Sequence, residues 1–372
     1  MENPVPVSII TGYLGSGKTT LLNRLLQSPG LANALVIINE FGEVGIDHLL
    51  VSAPTENMRL LSNGCLCCEV RGDLVETLAD AARQRREGKI LPFDRVIVET
   101  TGLADPVPLV QTVVTDRDVA PSYRLDSIIT VIDAVNALSQ FDRQPESVKQ
   151  VAVADLLLLS KTDLVSELEV VAVQKRVRMI NPSVETVRVI RGEIEPQRLF
   201  GCGTVDASAN AAQLKRWMGV SGDLCGDSGH IHDAYCGHLH GSPARNHHDH
   251  VQTFSITLDH PVTRDGLVVW LTMLASFRSA DLLRVKGIVN VEGSPVVINA
   301  VQFVLHEPVE LAAWPSADRK SHIVFIVQDL KREDLERTLD ALLVPGTPTL
   351  GNPLELDPQA YAQFMQMAKT FI

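Results

Sequence analysis

Between residues 5 and about 192 the chain alternates short aliphatic and β-branched runs with longer stretches of helical spacing. Six runs read as buried strands: VPVSII from Val5, ALVIIN from Ala34, RVIVET from Arg95, SIITVI from Ser127, DLLLLS from Asp155 and TVRVI from Thr186. Runs that are apolar on both faces suit a parallel sheet with helices on each side. The segments between them, such as TTLLNRLLQ and GDLVETLADAARQRRE, are rich in good helix formers. The expected fold class for 1–192 is α/β with a mostly parallel sheet.

The rhythm breaks over 193–250. Seven of the eleven histidines, His230, His232, His238, His240, His247, His248 and His250, fall there among Gly, Asp and Ser. That composition cannot build a core and reads as a flexible linker. From Val251 the pattern resumes with a strand (VQTFSITL), a helix (DGLVVWLTMLASF) and two strands (LLRVKGIVNV and SPVVINAVQFVL). SHIVFIVQ then reads as a strand and REDLERTLDALL as a helix. This predicts a smaller α+β domain over 251–345, with a helical tail over 346–372 that starts near Asp357. Trp217, Trp270 and Trp314 read as packing residues.

A chain of 372 residues has room for two domains and can bury a core without disulfide staples. Hydrophobic residues at 45% and charged residues at 21% exclude a disordered or fibrous protein. The charge balance, 33 − 45 = −12, argues against broad binding of nucleic acid or anionic membrane. It leaves nucleotides open, because backbone donors and one or two cations hold them. No run of 18 apolar residues occurs, so no membrane span is expected. The start, MENPVPVSIITG, lacks a positive leader region, so no signal peptide is expected and the expected compartment is the cytoplasm.

GYLGSGKT, from Gly12 to Thr19, fits G-x-x-x-x-G-K-[ST] between a predicted strand and a predicted helix. Gly12, Gly15, Ser16, Gly17, Thr19 and Thr20 would wrap backbone N–H groups around phosphate at a helix N-terminus. Lys18 would reach the β- and γ-oxygens, and the Thr19 hydroxyl would ligate Mg²⁺. The bland alternative is a chance glycine-rich turn. SKTD places Lys161 and Asp163 just after a buried strand, the usual place of a guanine motif. An Asp carboxylate there accepts from guanine N1–H and its amino group, whereas adenine would leave it unpaired. GTP is therefore favoured over ATP.

VIVETTG puts Glu99 at a strand end within reach of the Mg²⁺ shell, and the Gly102 N–H where a γ-phosphate would be sensed. INEFGEVGID carries Glu40, Glu43 and Asp47 in a loop that reads either as a nucleotide switch or as a solvated turn. Glu40 and Glu99 are the candidates to orient the attacking water.

Cys65, Cys67 and Cys68 fall within four residues, too close for ordinary bridges among themselves. Such a cluster reads as metal-binding or redox-active. Thiolates favour Zn²⁺, Cu(I) or Fe–S chemistry, and three ligands leave a position open for a metal that must leave again. The histidine run could recruit zinc as an auxiliary site, or serve only as a soluble linker.

The phosphate loop, VIVETTGLADP, SKTD and GCLCC together resemble the CobW-like family of P-loop GTPases, relatives of the nickel-insertion GTPases of urease and hydrogenase. The resemblance extends to LLRVKGIVNVEG in the second domain. It implies a Rossmann-like P-loop GTPase domain followed by a small α+β domain, with Glu99 and Glu40 matching family acids. It also implies a zinc chaperone that holds Zn²⁺ at Cys65, Cys67 and Cys68 and passes it to a client metalloprotein as GTP is hydrolysed. Ser160 stands where many GTPases have Asn, which bears on guanine selectivity. Only four residues precede the first predicted strand, so the resemblance brings no N-terminal client-docking segment of the eukaryotic kind.

The expected function is thus a cytoplasmic GTPase metallochaperone using GTP, Mg²⁺ and Zn²⁺, with a client metalloprotein as partner and a homodimer allowed. One rival keeps the GTPase but delivers cobalt or iron, for cobalamin synthesis or nitrile hydratase activation. Another is a non-catalytic zinc buffer or sensor. A small-molecule kinase is a third, and SKTD speaks against it.

Overall fold

The computed structural model describes residues 3–28, 31, 33–40, 58–62, 69–90, 92–203, 205, 207, 209, 211–218, 251–276 and 281–343. In chain order the first part runs β1 (Val5–Thr11), α1 (Lys18–Leu26), β2 (Ala34–Glu40), β3 (Met58–Ser62), α2 (Glu69–Arg86) and β4 (Arg95–Glu99). It continues with α3 (Val107–Thr115), β5 (Tyr123–Asp133), α4 (Ala137–Arg143), α5 (Pro145–Ala152), β6 (Leu156–Ser160), α6 (Glu167–Ile180) and β7 (Glu185–Val189). These strands form one seven-stranded sheet in the order β3-β2-β4-β1-β5-β6-β7, parallel at every pairing.

All six predicted strands are present, and burial on both faces explains why they read as continuous apolar runs. In β6, Leu156 and Leu158 pack with Leu21 and Leu25 of α1, while Leu157 and Leu159 pack with Val148 of α5 and Val173 of α6. The seventh strand, β3, was not legible: MRLLS is short, interrupted by Arg59, and among the described residues pairs with β2 alone.

The second part holds α7 (Ala211–Met218), β8 (Val251–Leu258), α8 (Arg264–Ser276), β9 (Leu282–Val291) and β10 (Ser294–Val301). Then come β11 (Val304–Leu305), β12 (Val309–Glu310), β13 (Ser321–Gln328) and α9 (Arg332–Glu336). Its sheet is antiparallel, in the order β11-β10-β9-β13-β8 with β12 also on β10. Trp270 of α8 is fully buried on this sheet, edge-on to Phe325 and donating Nε1–H to the Thr338 hydroxyl at 2.9 Å. Two expectations are corrected. SPVVINAVQFVL is not one strand, because Gln302 adopts a left-handed φ of 50° and turns the chain back, pairing Val301 with Val304. REDLERTLDALL is α-helical only to Glu336 and continues as a 3-10 helix over Arg337–Leu343.

The reading of 193–250 as linker is also corrected at its start. Pro196–Arg198 forms a 3-10 turn, the Gly201 N–H donates to the Asp126 carboxylate, and α7 buries Leu214, Trp217 and Met218. Those three apolar side chains give the segment a face to pack. The two sheets share cores. Val301 and Val304 join Val110 and Val113 of α3, and Leu283 and Ile326 join the α5–α6 layer. Among the described residues no helix is long and apolar enough to cross a membrane.

Candidate nucleotide-binding site

β1 is the point of reversal in the first sheet, with β4 on one side and β5 on the other. In open parallel sheets the crevice at the carboxyl ends of the strands beside such a point is where ligands bind. The chain from Gly12 to Gly17 fills that position and delivers the N-terminus of α1 to it.

The loop's backbone depends on glycine. Gly12 has φ 142° and Gly17 φ 101°, both left-handed, and a Cβ on Gly12 would stand 2.2 Å from the Val131 carbonyl oxygen. Lys18 is almost wholly buried, its ammonium donating to the Gly12 carbonyl at 2.8 Å and lying 3.4 Å from that of Tyr13. Folded over its own loop, the cation is kept beside the phosphate position. The Ser16 hydroxyl is buried in the loop without a hydrogen-bond partner, a polar atom that fits a site built to receive a polar ligand.

The Thr19 hydroxyl donates to Glu99 Oε1 at 3.3 Å, across 80 residues of sequence. A hydroxyl and a carboxylate side by side, all oxygen, are the hard donor set that Mg²⁺ takes. Beyond Glu99 the chain is tied to β1 by Thr100, whose N–H donates to the Ile10 carbonyl and whose hydroxyl meets that of Thr11 at 2.9 Å. Gly102 then passes directly over the phosphate loop, where a Cβ would stand 2.5 Å from Leu14 N. The close approach requires glycine, and it puts this loop against the phosphate loop.

On the other flank, β6 ends at Ser160, whose hydroxyl lies 2.6 Å from the Ser16 carbonyl and 3.1 Å from that of Ile132. Ser160 therefore joins β6 to the phosphate loop. Lys161 is left-handed at φ 57°, and its ammonium bridges the Gly15 carbonyl at 2.8 Å and Asp133 Oδ2 at 2.7 Å. Asp163 sits in the 3-10 turn Thr162–Leu164 with its side chain exposed.

Of the residues predicted from sequence, the structure thus brings Gly12, Gly15, Ser16, Gly17, Lys18, Thr19, Thr20, Glu99, Gly102, Lys161 and Asp163 to one end of the sheet. Glu40 is the last residue of β2, in register with Ser62. Its side chain lies outside the described residues, as do Glu43, Asp47, Cys65, Cys67, Cys68, the seven histidines from His230 to His250 and the tail beyond 343. Two residues of the site went unnoticed in the sequence. Asp133 ends the run SIITVID, where an acid after a buried strand is a usable signal. Gln150 sits in α5 and donates Nε2–H towards the carbonyls of Gly102, at 3.3 Å, and Ala104, at 3.1 Å; nothing in PESVKQVA marks it.

A second polar cluster lies between the domains. Arg284 on β9 donates to the Val153 carbonyl and the Asp155 carboxylate, Lys286 stands 3.4 Å from the same carboxylate, and all three side chains are nearly inaccessible. Burial alone would raise the Asp155 carboxyl, but Arg284, Lys286 and the Ile128 N–H outweigh it and hold the pKa below the ordinary value. Burial, helped by Arg284, pulls Lys286 down to about 7 despite Asp155. Burial likewise lowers nearby His306 to about 4, with Arg284 acting in the same direction.

A mononucleotide-type sheet with a glycine-dependent phosphate loop, a Thr–Glu oxygen pair and a Lys-bearing base-side turn defines a P-loop nucleotide-binding protein. Residues 6–188 match the model described as CobW/HypB/UreG, nucleotide-binding domain, and residues 251–343 match the cobalamin synthesis protein cobW C-terminal domain. The chain belongs to the CobW/HypB/UreG family of GTPases. It is 30% identical over 344 residues to the zinc chaperone YjiA of Escherichia coli (strain K12), covering 91% of this chain and 99% of that protein. It is 32% identical over 245 residues to the zinc-regulated GTPase metalloprotein activator 1 of Schizosaccharomyces pombe, covering 64% of this chain and 58% of that one. The crystal structure of Zn(II)-bound YjiA GTPase from E. coli superposes with a TM-score of 0.64 at 26% identity, over 92% of this chain and 99% of that chain. A YjiA variant with one glutamate and two consecutive cysteines replaced by alanine is also described as Zn(II)-bound.

Proposed function

We propose that the protein is a GTP-hydrolysing zinc metallochaperone. The observation that carries the reading is the Thr19–Glu99 contact at the mouth of the phosphate loop, with Lys18 folded over Gly12 and Lys161 over Gly15. In this reading Gly12 to Thr20 bind the phosphates, Thr19 and Glu99 hold Mg²⁺, and Lys161 and Asp163 receive guanine. Lys18 steadies charge on the leaving and transferred phosphates, and Glu40 or Glu99 orients water. Mg²⁺ supplies charge neutralisation when bound.

Zinc is the cargo, held by Cys65, Cys67 and Cys68 and handed to a client metalloprotein. Three thiolates suit zinc, and the likeness to two zinc chaperones, YjiA and CobW, favours it over cobalt or iron. The cysteines follow β2 by only about 25 residues and precede α2 directly, so a nucleotide-dependent change in that stretch reaches them. A tenfold change in zinc affinity between nucleotide states needs only about 1.4 kcal/mol of coupling. The histidine run is proposed as a zinc-recruiting tract, a role in keeping with zinc binding by the YjiA variant that lacks two cysteines. The functional divisions are 1–192, 193–250, 251–345 and 346–372; within the second, Leu199 and Gly201 pack on the first domain and α7 on the second sheet.

The test is GTP hydrolysis by the metal-free protein titrated with Zn²⁺, beside Cys67→Ala. The expected result is zinc-dependent stimulation that disappears in the variant. Hydrolysis indifferent to zinc in both proteins would refute the coupling of the two sites.

A further inference from the structure

α5 is a short helix of eight residues whose buried side carries Val148, Gln150 and Val151. Its carbonyls are held from several directions. The Thr130 hydroxyl donates to the Gln150 carbonyl at 2.7 Å, and Asn181 Nδ2 donates towards the carbonyls of Val151, Ala152 and Ala154 at 3.0 to 3.2 Å. The Val153 carbonyl accepts from Arg284 of the second domain. The backbone from 150 to 154 is therefore fixed by side chains of β5, α6's end and β9.

From that fixed base the Gln150 side chain, 1% exposed, reaches the loop after β4. Its amide N–H groups meet the Gly102 and Ala104 carbonyls, on either side of the peptide that Leu103 joins. The carbonyl oxygen of the same side chain is buried without a partner, a desolvation cost that an apolar residue at this position would avoid. The loop it holds is the one that passes over Leu14 with no room for a Cβ at Gly102. With two carbonyls committed to α5, the backbone of residues 102–104 is fixed in one orientation against the phosphate loop. A γ-phosphate, which needs N–H donors and not carbonyl oxygens, meets that loop already arranged.

We propose that Gln150 is a positioning residue that pre-arranges the 101–105 loop and so sets the preference for guanosine triphosphate over diphosphate. The proposal rests on the reading above that this loop senses the γ-phosphate. The diphosphate has no group to meet the loop, so its affinity should not depend on Gln150. The triphosphate must otherwise bring the loop into place with part of its own binding free energy, which lowers its apparent affinity.

The experiment measures affinity for a non-hydrolysable GTP analogue and for GDP, with Mg²⁺ present, in the full-length protein and in Gln150→Met, which keeps the length of the side chain and removes its donors. The expected result is about a tenfold loss for the analogue, about 1.4 kcal/mol, with GDP affinity within about twofold of the parent. GDP affinity doubles as the check on folding. Should Gln150→Met fail to fold, Gln150→Leu, which also lacks the donors, is read the same way. Equal losses for both nucleotides, or none for either, overturn the proposal. If the parent protein itself binds analogue and GDP equally, the γ-phosphate reading of the loop fails, and this inference fails with it.

Discussion

Lys161 and Lys286 each face a buried aspartate, Asp133 at 2.7 Å and Asp155 at 3.4 Å, yet the two pairs serve opposite ends. The Lys161 side chain is 37% exposed, and Asp133 has other partners in the Val135 N–H and the Asn136 amide. Lys161 can swing out towards solvent while the Asp133 carboxylate keeps two hydrogen-bond donors. Lys286 and Asp155 are both 2% exposed, and Asp155 also answers Arg284. No ligand can rearrange that cluster without leaving a charge unpaired in the interior, so it fixes how the two domains meet. Exposure, more than distance, separates a lysine held in readiness from one locked in place.

The comparison breaks most visibly at Asp155. Asp155→Ala leaves Arg284 and Lys286 buried without their carboxylate and should lower stability by about 3–5 kcal/mol in urea unfolding. A loss below about 1 kcal/mol would mean that the cluster does not hold the domains together. At the pocket the signs reverse. Lys18→Ala should reduce GTP hydrolysis by roughly 10²–10³-fold, the usual cost of removing one preorganised charge, while the urea midpoint of the nucleotide-free protein barely moves. A large fall in stability with unchanged hydrolysis would transfer Lys18 to the structural class.

A pH dependence sharpens the contrast within the cluster itself. Lys286 has a folded pKa of about 7 against an ordinary 10.5, so between those values the unfolded chain binds more protons than the folded one. Stability contributed through this group therefore rises with pH from about 7 to 10.5, and below 7 the protein bears the cost of a buried cation. Lys286→Met should remove that rise, so that urea-unfolding stability of the variant stays flat where that of the parent climbs. The parent and the variant showing the same pH dependence across this range would exclude the assignment.

The candidate site was legible where the chemistry is contiguous. GYLGSGKT carries its own geometry, because successive N–H groups around glycines form the anion cradle without help from distant residues. SKTD and VIVETTG were readable because each ends a buried run, which places it at the sheet's carboxyl edge. Ser160 looked like a departure from the usual motif. In the fold it is the hydroxyl that joins β6 to the phosphate loop, a role visible only once the strands are adjacent. Nothing in LLRVKGIVNV singles out Arg284 and Lys286, and their burial follows from a second domain packed on the first.

The sequence by itself determined the α/β rhythm, the phosphate loop and the family, since hydrophobic period and glycine placement are local properties of the chain. Only the tertiary structure decided that Gln150 reaches Gly102 across 48 residues, Lys161 reaches Asp133 across 28, and Arg284 reaches Asp155 across 129. Such contacts depend on which strands become neighbours and how deeply each side chain is buried. A polar residue in a helix or strand carries no mark of either until the chain has folded around it.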